Sequence, residues 1–397
     1  MSEYQTLDNL DFQGRRVLVR TDLNVPMSGG RINDASRINE VVPGLKELLD
    51  GGAAVILASH LGRPKGEVLP EYSLKPIVGE LARALGADVK FVDSWDSTRP
   101  EDAAAALQPG KLLMLENLRF QPGEEAGDNN FAARLAGLAD LYVDDAFSCA
   151  HREHASISGV PRLLPAAAGR LMQKELEALE TALETPTHPV VAIVGGNKIS
   201  TKLGVLENLI SRVDHLLIGG AMAHTFMLAD GIGVGRSLAE PEMIGMAAGV
   251  VAAAAEAHCQ ITLPADVRVA AELAENALTK SLPSAEIPAD QMALDIGPMT
   301  ERVMGQVIVA ARTVIWNGPM GAFEVTPFDT GTNALALTVA ERTRLGVLKS
   351  IAGGGDTMAA LVHAKAAKDF TYVSLAGGAF LEWLEGRALP GIEALKG

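Results

Sequence analysis

Short apolar runs alternate with amphipathic stretches along the whole chain. The apolar runs are rich in β-branched residues and end at glycine or at polar residues, which is typical of buried parallel strands. We expect strands at residues 17–20, 53–59, 112–116, 141–144, 190–195, 215–219, 313–317, 350–352 and 372–374. Between them, apolar residues recur three and four positions apart, which predicts helices at residues 37–50, 74–85, 129–138, 203–210 and 332–344.

This alternation predicts the fold class. Strand–helix repetition at this spacing favours mainly parallel sheets with helices on both faces, the doubly wound or Rossmann-like arrangement of α/β proteins. At 397 residues the chain is long for one core, and two domains are expected. The alternative to two domains is a single large sheet formed by the whole chain.

The division between the domains is expected at a helix. Residues 171–179 have apolar positions three and four apart, and Pro186 and Pro189 follow them before a new strand begins at Val190. We therefore predict a first domain over residues 1–170, a connector helix with a hinge over 171–188, and a second domain over 189–385.

Composition and charge exclude several classes of protein. The net charge of −15 leaves no basic excess for nucleic acid or an acidic membrane surface. The most apolar stretch, residues 243–255, is shorter than the ~20 residues that span a membrane. With two cysteines and a polar N-terminus that lacks a signal pattern, a cytoplasmic protein is expected.

Polar residues gather where the strands of the first half end. Arg20-Thr21-Asp22-Leu23-Asn24-Val25-Pro26 follows the first apolar run, and Pro26 cannot continue a strand because it lacks an amide hydrogen. Similar segments follow other runs: His60-Leu61-Gly62-Arg63, Glu116-Asn117-Leu118-Arg119, and residues 144–152, which end in Arg152.

The carboxyl ends of parallel strands lie along one edge of a sheet, so these cations are expected to converge. Together with Arg37, which opens the next helix, they suit a carboxylate or a phosphate. Any one of these arginines, taken alone, is best interpreted as a solvated surface charge. The repetition of arginine-containing polar segments at several strand ends indicates an anion site. Cys149 is read as a small buried thiol.

The second half carries glycines directly after its strands. Gly195-Gly196-Asn197-Lys198, with Lys202 just beyond, Gly219-Gly220 and Gly353-Gly354-Gly355-Asp356-Thr357 each follow an apolar run. Glycine lets backbone amides approach a ligand, and a helix N-terminus favours phosphate. Each pair alone also fits a packing turn, but their repetition favours a nucleotide site.

Neither common nucleotide fingerprint is present. The sequence contains no G-x-x-x-x-G-K-[ST] loop and no G-x-G-x-x-G after a strand. Two other segments offer nucleotide contacts: residues 316–324, which contain Asn317 and end on Glu324, and the predicted turn Leu294-Asp295-Ile296-Gly297-Pro298. His224 has two interpretations: it contacts the base, or, as we favour, it is a core or surface histidine whose hydrogen bonds are made within the protein or to solvent.

RTDLNVP, HLGRP, DAF…AHR, GGxK…K, LDIGP, WNGPxGxFE and GGGDT occur here in the order found in phosphoglycerate kinases. The chain therefore resembles that family over residues 20–380. It departs from the usual pattern at Asn197, where a smaller residue is common, and at Met320, where valine is common; neither change removes a charged group.

The resemblance implies the roles of particular residues. The 3-phosphoglycerate site would comprise Asp22, Leu23, Asn24, Arg37, His60, Leu61, Gly62, Arg63, Arg119 and Arg152. The ADP/ATP site would comprise Gly195, Lys202, Gly219, Gly297, Asn317, Glu324, Gly354, Gly355, Asp356 and Thr357, with Asp356 on Mg²⁺. Catalytic roles fall to Arg37, Lys198, Lys202, Gly354 and Gly355.

The resemblance also implies the reaction, a Mg-dependent and reversible transfer of the acyl phosphate of 1,3-bisphosphoglycerate to ADP. In reverse the nucleophile is a carboxylate, which is ionised at neutral pH, so positioning and charge neutralisation suffice. A monomer with hinge closure is expected, in which residues 386–397 pack back on the first domain.

Rival interpretations remain open at this point. A nicotinamide-dependent dehydrogenase would need the absent glycine fingerprint. A non-enzymatic anion-binding protein is expected to lack key residues of either the anion site or the nucleotide site, and the sequence retains those of both. A kinase with a different carboxylate acceptor is compatible with the arginines.

Overall fold

The computed structural model describes residues 4–96 and 99–396. The chain divides into two compact units, one formed by residues 4–176 with 388–396 and the other by residues 177–387. The boundary between them falls inside one helix, Arg170–Leu183.

The first unit contains a fully parallel six-stranded sheet in the order β5-β6-β4-β1-β7-β8. Its strands, with a small antiparallel ribbon formed by β2 and β3, are β1 (Arg16–Thr21), β2 (Met27–Ser28), β3 (Arg31–Ile32), β4 (Ala54–Ala58), β5 (Val89–Val92), β6 (Leu112–Leu115), β7 (Leu141–Asp145) and β8 (Ala166–Ala168). The helices up to the unit boundary are α1 (Ser36–Asp50), α2 (Lys75–Leu85), α3 (Arg99–Ala105), α4 (Pro122–Glu125), α5 (Asn129–Ala136) and α6 (Arg170–Leu183).

Strand β1 lies in the middle of this sheet and is buried on both faces. Val17 and Val19 pack in a core with apolar residues of α1 and α2, whereas Leu18 packs on the opposite face with residues of α5. Because successive side chains of a strand alternate between faces, an unbroken apolar run is what a sheet covered on both sides requires.

The second unit has a second parallel six-stranded sheet in the order β11-β10-β9-β15-β16-β17. Its strands are β9 (Val190–Val194), β10 (His215–Ile218), β11 (Gln260–Thr262), β15 (Thr313–Asn317), β16 (Lys349–Gly353) and β17 (Tyr372–Ser374); β12 (Asp266–Ala270), β13 (Lys280–Pro283) and β14 (Met292–Ile296) form a separate sheet. The helices are α7 (Leu203–Leu209), α8 (Gly220–Ala229), α9 (Ile244–Glu256), α10 (Pro298–Ala310), α11 (Thr330–Arg344), α12 (Gly355–His363) and α13 (Gly377–Leu384). The last helix, α14 (Pro390–Glu393), belongs to the first unit, where Gly391 N donates to Ala150 O at 2.9 Å.

The predicted fold class is confirmed, since both large sheets are parallel and flanked by helices. The separate antiparallel sheet, in the order β13-β12-β14, was not predicted. The expected turn at residues 294–298 is wrong at its start, because Leu294–Ile296 are the last residues of β14 and the chain turns only at Gly297. These strands are short and only partly alternating, so their pairing could not be read from the sequence.

The N-terminus of α6 is fixed by a carboxylate from the central sheet. A single oxygen of Asp145, Oδ1, accepts hydrogen bonds from Leu171 N at 2.8 Å and Met172 N at 3.0 Å. Asp145 is almost fully buried, and burial raises the pKa of its carboxyl to about 6. The end of β7 therefore holds the first turn of the helix that leaves this unit.

Replacing Asp145 by alanine removes the acceptor and leaves two helix amides unpaired. We expect Asp145→Ala to lower the free energy of unfolding by about 1–3 kcal/mol. Asp145→Asn is the matched control, since its amide oxygen can accept both bonds without a buried charge. Urea unfolding followed by circular dichroism measures both variants, and equal losses of stability would contradict this capping role.

Candidate functional site

In the first unit the carboxyl ends of β1, β4, β6 and β7 carry most of the predicted anion-binding residues. The segment after β1 is fastened to the segment after β4: Leu23 N donates to Ser59 Oγ at 2.8 Å, and Gly62 N donates to Asn24 Oδ1 at 2.9 Å. The Leu23 and Leu61 side chains are buried in the core, so these two residues can offer a ligand only their backbone.

Asp22 organises the centre of this edge. Its carboxylate accepts from Ser148 Oγ and forms an ion pair with Arg37, and it lies 3.9 Å from His60 Nδ1. Burial opposes ionisation of Asp22, but the facing charges and hydrogen bonds hold its pKa at about 2. Asp22 is therefore a fixed anion that orients Arg37.

Arg119 is buried, with 5% of its side chain exposed. One guanidinium nitrogen donates to Gly62 O at 2.7 Å, and Nε lies 3.4 Å from Glu125 Oε1 without hydrogen-bond geometry. Burial lowers the pKa of Arg119, and the positive charges of Arg20 and Arg152 lower it further, although Cys149 and Glu125 oppose this. A guanidinium in such surroundings is suited to an incoming anion.

The other predicted cations lie at the margins. Arg152 is half-buried and acts on Arg119 and on His154 by its charge, whereas Arg63 is exposed. The structure thus brings Asp22, Asn24, Arg37, His60, Gly62 and Arg119 into contact with one another or with shared partners, and places Arg63 at the surface.

In the second unit the loops after β9, β10 and β15 meet backbone to backbone. A Cβ on Gly195 would lie 1.9 Å from Pro319 O, and one on Gly318 would lie 2.2 Å from Gly195 O. Gly220 has a φ of +66°, and its amide donates to Met320 O at 2.9 Å. Only glycine permits this approach, which is why glycine pairs follow these strands.

Lys202 lies at the junction of these loops. Its Nζ donates to the Asn317 side-chain oxygen, and Asn317 Nδ2 donates to Gly353 O at 2.7 Å. Burial lowers the pKa of Lys202 to about 8, and the charge of Asp356 opposes this shift. Lys198, by contrast, is exposed.

The third glycine loop leads into α12. Gly354 has a φ of +104°. Gly355 is the first residue of the helix, and a Cβ added to it would meet no atom within 4 Å. Thr357 is buried and accepts from Gly318 N at 2.7 Å, so its hydroxyl joins this loop to the β15 loop. Asp356 is exposed beside it, and no group of three or more metal-ligating side chains occurs within residues 4–96 and 99–396.

A cavity of ≈ 310 Å³ lies between the glycine loops and the antiparallel sheet. Its walls include Gly196, Gly220, Leu238, Met292, Leu294 and Met320. His224 also lines it, but its Nδ1 bonds to Leu238 O at 2.8 Å and the residue is buried, which agrees with the satisfied core histidine that we favoured.

None of the ten predicted nucleotide residues lines this cavity, whose walls are formed by their neighbours in the glycine loops, such as Gly196 and Gly220. Glu324 is exposed and does not line it. Gly297 packs against the Asp266 carboxylate, which caps α10 by accepting from Met299 N and Thr300 N, so its visible role is to begin that helix. Residues 294–296, which the sequence analysis placed in a turn offering nucleotide contacts, line the cavity as the end of β14. Sequence reasoning missed the rest of this wall, including Val267 of β12 and Met292, because it depended on finding the antiparallel sheet.

Comparisons with known proteins identify the family. The family model described as phosphoglycerate kinase matches residues 7–387. The chain belongs to the phosphoglycerate kinase family. It is 53% identical over 397 residues to a phosphoglycerate kinase of Methylorubrum extorquens, which covers 100% of this chain and 99% of the relative. Identity to that of Zymomonas mobilis is 52% over 394 residues, 99% of each chain.

Solved structures agree with this assignment. The phosphoglycerate kinase from Coxiella burnetii superposes with a TM-score of 0.93 at 41% identity, covering 99% of this chain and 98% of that one. That from Pyrococcus horikoshii gives 0.78 at 28% identity, with 98% of each chain covered.

The phosphoglycerate kinase reaction is therefore the activity of this enzyme, a phosphotransferase of glycolysis. It transfers the acyl phosphate of 1,3-bisphosphoglycerate to ADP, giving 3-phosphoglycerate and ATP. Its ligands are small molecules, and none of the described helices is long and apolar enough to cross a membrane.

The buried position of Lys202 predicts its titration. We expect its pKa to be about 8, and Asp356→Asn to lower it further because a neighbouring negative charge that favours the ammonium is lost. Lysine labelled with ¹³C at Cε and followed by NMR from pH 6 to pH 11 measures this, with Asp369→Asn as the control. A Lys202 pKa at the ordinary lysine value would contradict the burial argument.

Proposed function

We propose that the arginine-rich edge of the first unit binds 3-phosphoglycerate through Arg37, His60, Arg63, Arg119 and Arg152, with Asp22 and Asn24 shaping the site. The observation that carries this is the set of cations around Arg119, whose Nε has no hydrogen-bond partner although it is buried. Like charges held together in a low-dielectric setting repel one another, and a bound dianion removes that repulsion.

The second unit supplies a site of the shape that a nucleotide needs. The cavity between the glycine loops and the antiparallel sheet offers an apolar enclosure for a base, as ligand pockets usually do. The start of α12 at Gly354 and Gly355 offers backbone amides and a helix dipole to phosphates. We assign the adjacent Lys202 to the phosphates, and the exposed Glu324 to the ribose hydroxyls.

The nucleotide is expected to carry Mg²⁺ with it. Asp356 is exposed at the first turn of α12, beside the amides assigned to the phosphates, and its carboxylate is a ligand type that Mg²⁺ prefers. A single carboxylate fits a cation held mainly by the phosphates and water. When bound, the ion would neutralise charge on the phosphates.

The chemistry then needs no general base. The attacking carboxylate of 3-phosphoglycerate is already ionised at neutral pH, and the developing charge lies on the phosphoryl oxygens. Arg37, Lys198, Lys202 and the amides of Gly354 and Gly355 are the groups proposed to stabilise it. Lys202 binds the phosphates in its charged form, and anionic phosphates raise its pKa when they bind.

We further propose that the enzyme acts as a monomer in the cytoplasm. Direct transfer requires the two bound ligands to meet, so closure of the hinge remains a prediction that follows from the reaction.

Removing a stabilising side chain from either of the two proposed sites should slow turnover strongly. We expect Arg37→Ala to lower kcat by about 10²–10³-fold, the usual effect of losing a positioned charge at the transferring group. Lys202→Ala should lower kcat to a similar extent and also raise the KM for ATP. The assay is phosphorylation of 3-phosphoglycerate by Mg-ATP, coupled to an NADH-consuming dehydrogenase.

Matched controls are available on the surface. Arg83, on α2, and Lys280, on β13, are exposed, and their alanine variants should keep wild-type kinetics. Full activity in Arg37→Ala would contradict the proposed site. Wild-type protein that binds ATP but does not phosphorylate 3-phosphoglycerate would point to a different carboxylate acceptor.

A further inference from the structure

Arg20 is buried completely beneath the anion site, at the end of β1. Its guanidinium forms no ion pair within residues 4–96 and 99–396; it donates instead from Nε to Ser156 Oγ at 2.9 Å and from one terminal nitrogen to Thr21 O. The other terminal nitrogen lies 3.3 Å from His60 Nδ1. Arg20 is not among the residues assigned to the substrate.

A buried carboxylate fixes the orientation of this guanidinium. Ser156 Oγ donates to Glu124 Oε1 at 2.6 Å, so the serine lone pairs are free to face Arg20 Nε. Glu124 is fully buried and also accepts from Ser156 N at 3.0 Å. With Nε and one terminal nitrogen engaged, the last nitrogen of the planar fork lies 3.7 Å from Cys149 Sγ and 3.3 Å from His60 Nδ1, and its two hydrogens can serve both.

The contact between Arg20 and His60 decides where the imidazole hydrogen lies. A guanidinium has no acceptor and does not lose its protons in proteins, so Arg20 can only donate. His60 Nδ1 must therefore accept. In a neutral imidazole the hydrogen is then on Nε2, which makes Nε2 a donor.

Asp22 favours the opposite arrangement. Its Oδ1 lies 3.9 Å from the same Nδ1, and a carboxylate attracts a hydrogen to that atom. The shorter Arg20 contact opposes this. Burial holds the pKa of His60 well below its ordinary value, against the attraction of Asp22 and with the help of the positive charges of Arg20, Arg119 and Arg37.

We propose that Arg20 is a positioning residue, which holds His60 as the neutral tautomer with its hydrogen on Nε2 and so keeps a hydrogen-bond donor available to the anionic substrate. The role at the substrate rests on the proposed function of His60 in binding 3-phosphoglycerate. The tautomer itself does not, and it can be tested without any ligand.

The direct test is NMR of the full chain labelled with ¹⁵N-histidine, with His60 assigned from a His60→Gln variant. We expect the wild type to show Nε2 protonated and Nδ1 unprotonated from pH 6 to pH 8. In Arg20→Gln we expect hydrogen to appear on Nδ1, facing Asp22. Arg16→Gln is the matched control, since Arg16 lies on the same strand and pairs with Asp140 at 2.8 Å.

Either of two results would overturn the proposal: a wild-type His60 protonated at Nδ1, or the same tautomer in wild type and Arg20→Gln. The wild-type spectrum decides the first of these even if Arg20→Gln does not fold.

A kinetic test separates positioning from a merely structural role. At pH 8 the KM for 3-phosphoglycerate should rise about tenfold in Arg20→Gln, because the Nε2 donor to a charged ligand is lost. In a His60→Gln background, Arg20→Gln should change this KM little, because Arg20 is proposed to act on the substrate only through His60.

An equal rise in KM in the His60→Gln background would overturn the positioning role. Absence of wild-type turnover would instead contradict the proposed function, and the NMR result would still decide the tautomer.

Discussion

Several guanidinium groups meet at the carboxyl edge of one buried sheet. Holding these like charges close together is the main constraint on the first unit. The two most deeply buried, Arg20 and Arg119, donate to backbone carbonyl oxygens, Thr21 O and Gly62 O. Carbonyl oxygens orient a cation without neutralising it. Arg37 pairs with Asp22, and Arg119 Nε lies 3.4 Å from Glu125 Oε1 without hydrogen-bond geometry, so neutralisation is incomplete and positive charge is left for a ligand. A preorganised, incompletely neutralised cluster of this kind suits a substrate with two anionic groups.

In the second unit, the proposed phosphate site is formed mainly by backbone groups rather than by charged side chains. Its loops approach so closely at Gly195 and Gly318 that no Cβ fits, and the amides at the start of α12 remain available. Lys202, at this junction, is held by Asn317, which also bonds to Gly353. On the proposed function a nucleotide would bring its own divalent cation, so few charged side chains would be needed here.

Much of this could be predicted from the sequence. The apolar runs located every strand of both parallel sheets except the short β5, β8 and β11, because a strand buried on both faces must be apolar throughout. The strand-end arginines and glycines followed from the topology, since parallel strands place their carboxyl ends together. The family resemblance then assigned roles that no single motif could carry.

The remainder depends on contacts between residues far apart in the chain. The β12–β14 sheet that walls the cavity has strands too short to stand out. Nothing in the sequence indicates that Glu124 and Ser156 would lie beneath Arg20, since they are 104 and 136 residues from it and meet it only in the folded unit. Leu23, Leu61 and Gly297 were grouped with the binding residues because they lie in the family motifs. In the structure the side chains of Leu23 and Leu61 are buried in the core, and Gly297 precedes α10 and packs against Asp266.

The central claim is that each unit binds its own ligand. Hydrogen–deuterium exchange by mass spectrometry, with 3-phosphoglycerate alone and with Mg-ADP alone, tests it most directly. The account predicts that 3-phosphoglycerate slows exchange in residues 22–24, 60–63 and 148–152, and that Mg-ADP slows it in residues 195–202, 317–324 and 354–357. Protection by 3-phosphoglycerate confined to residues 177–387, or by Mg-ADP confined to the first unit, would contradict it.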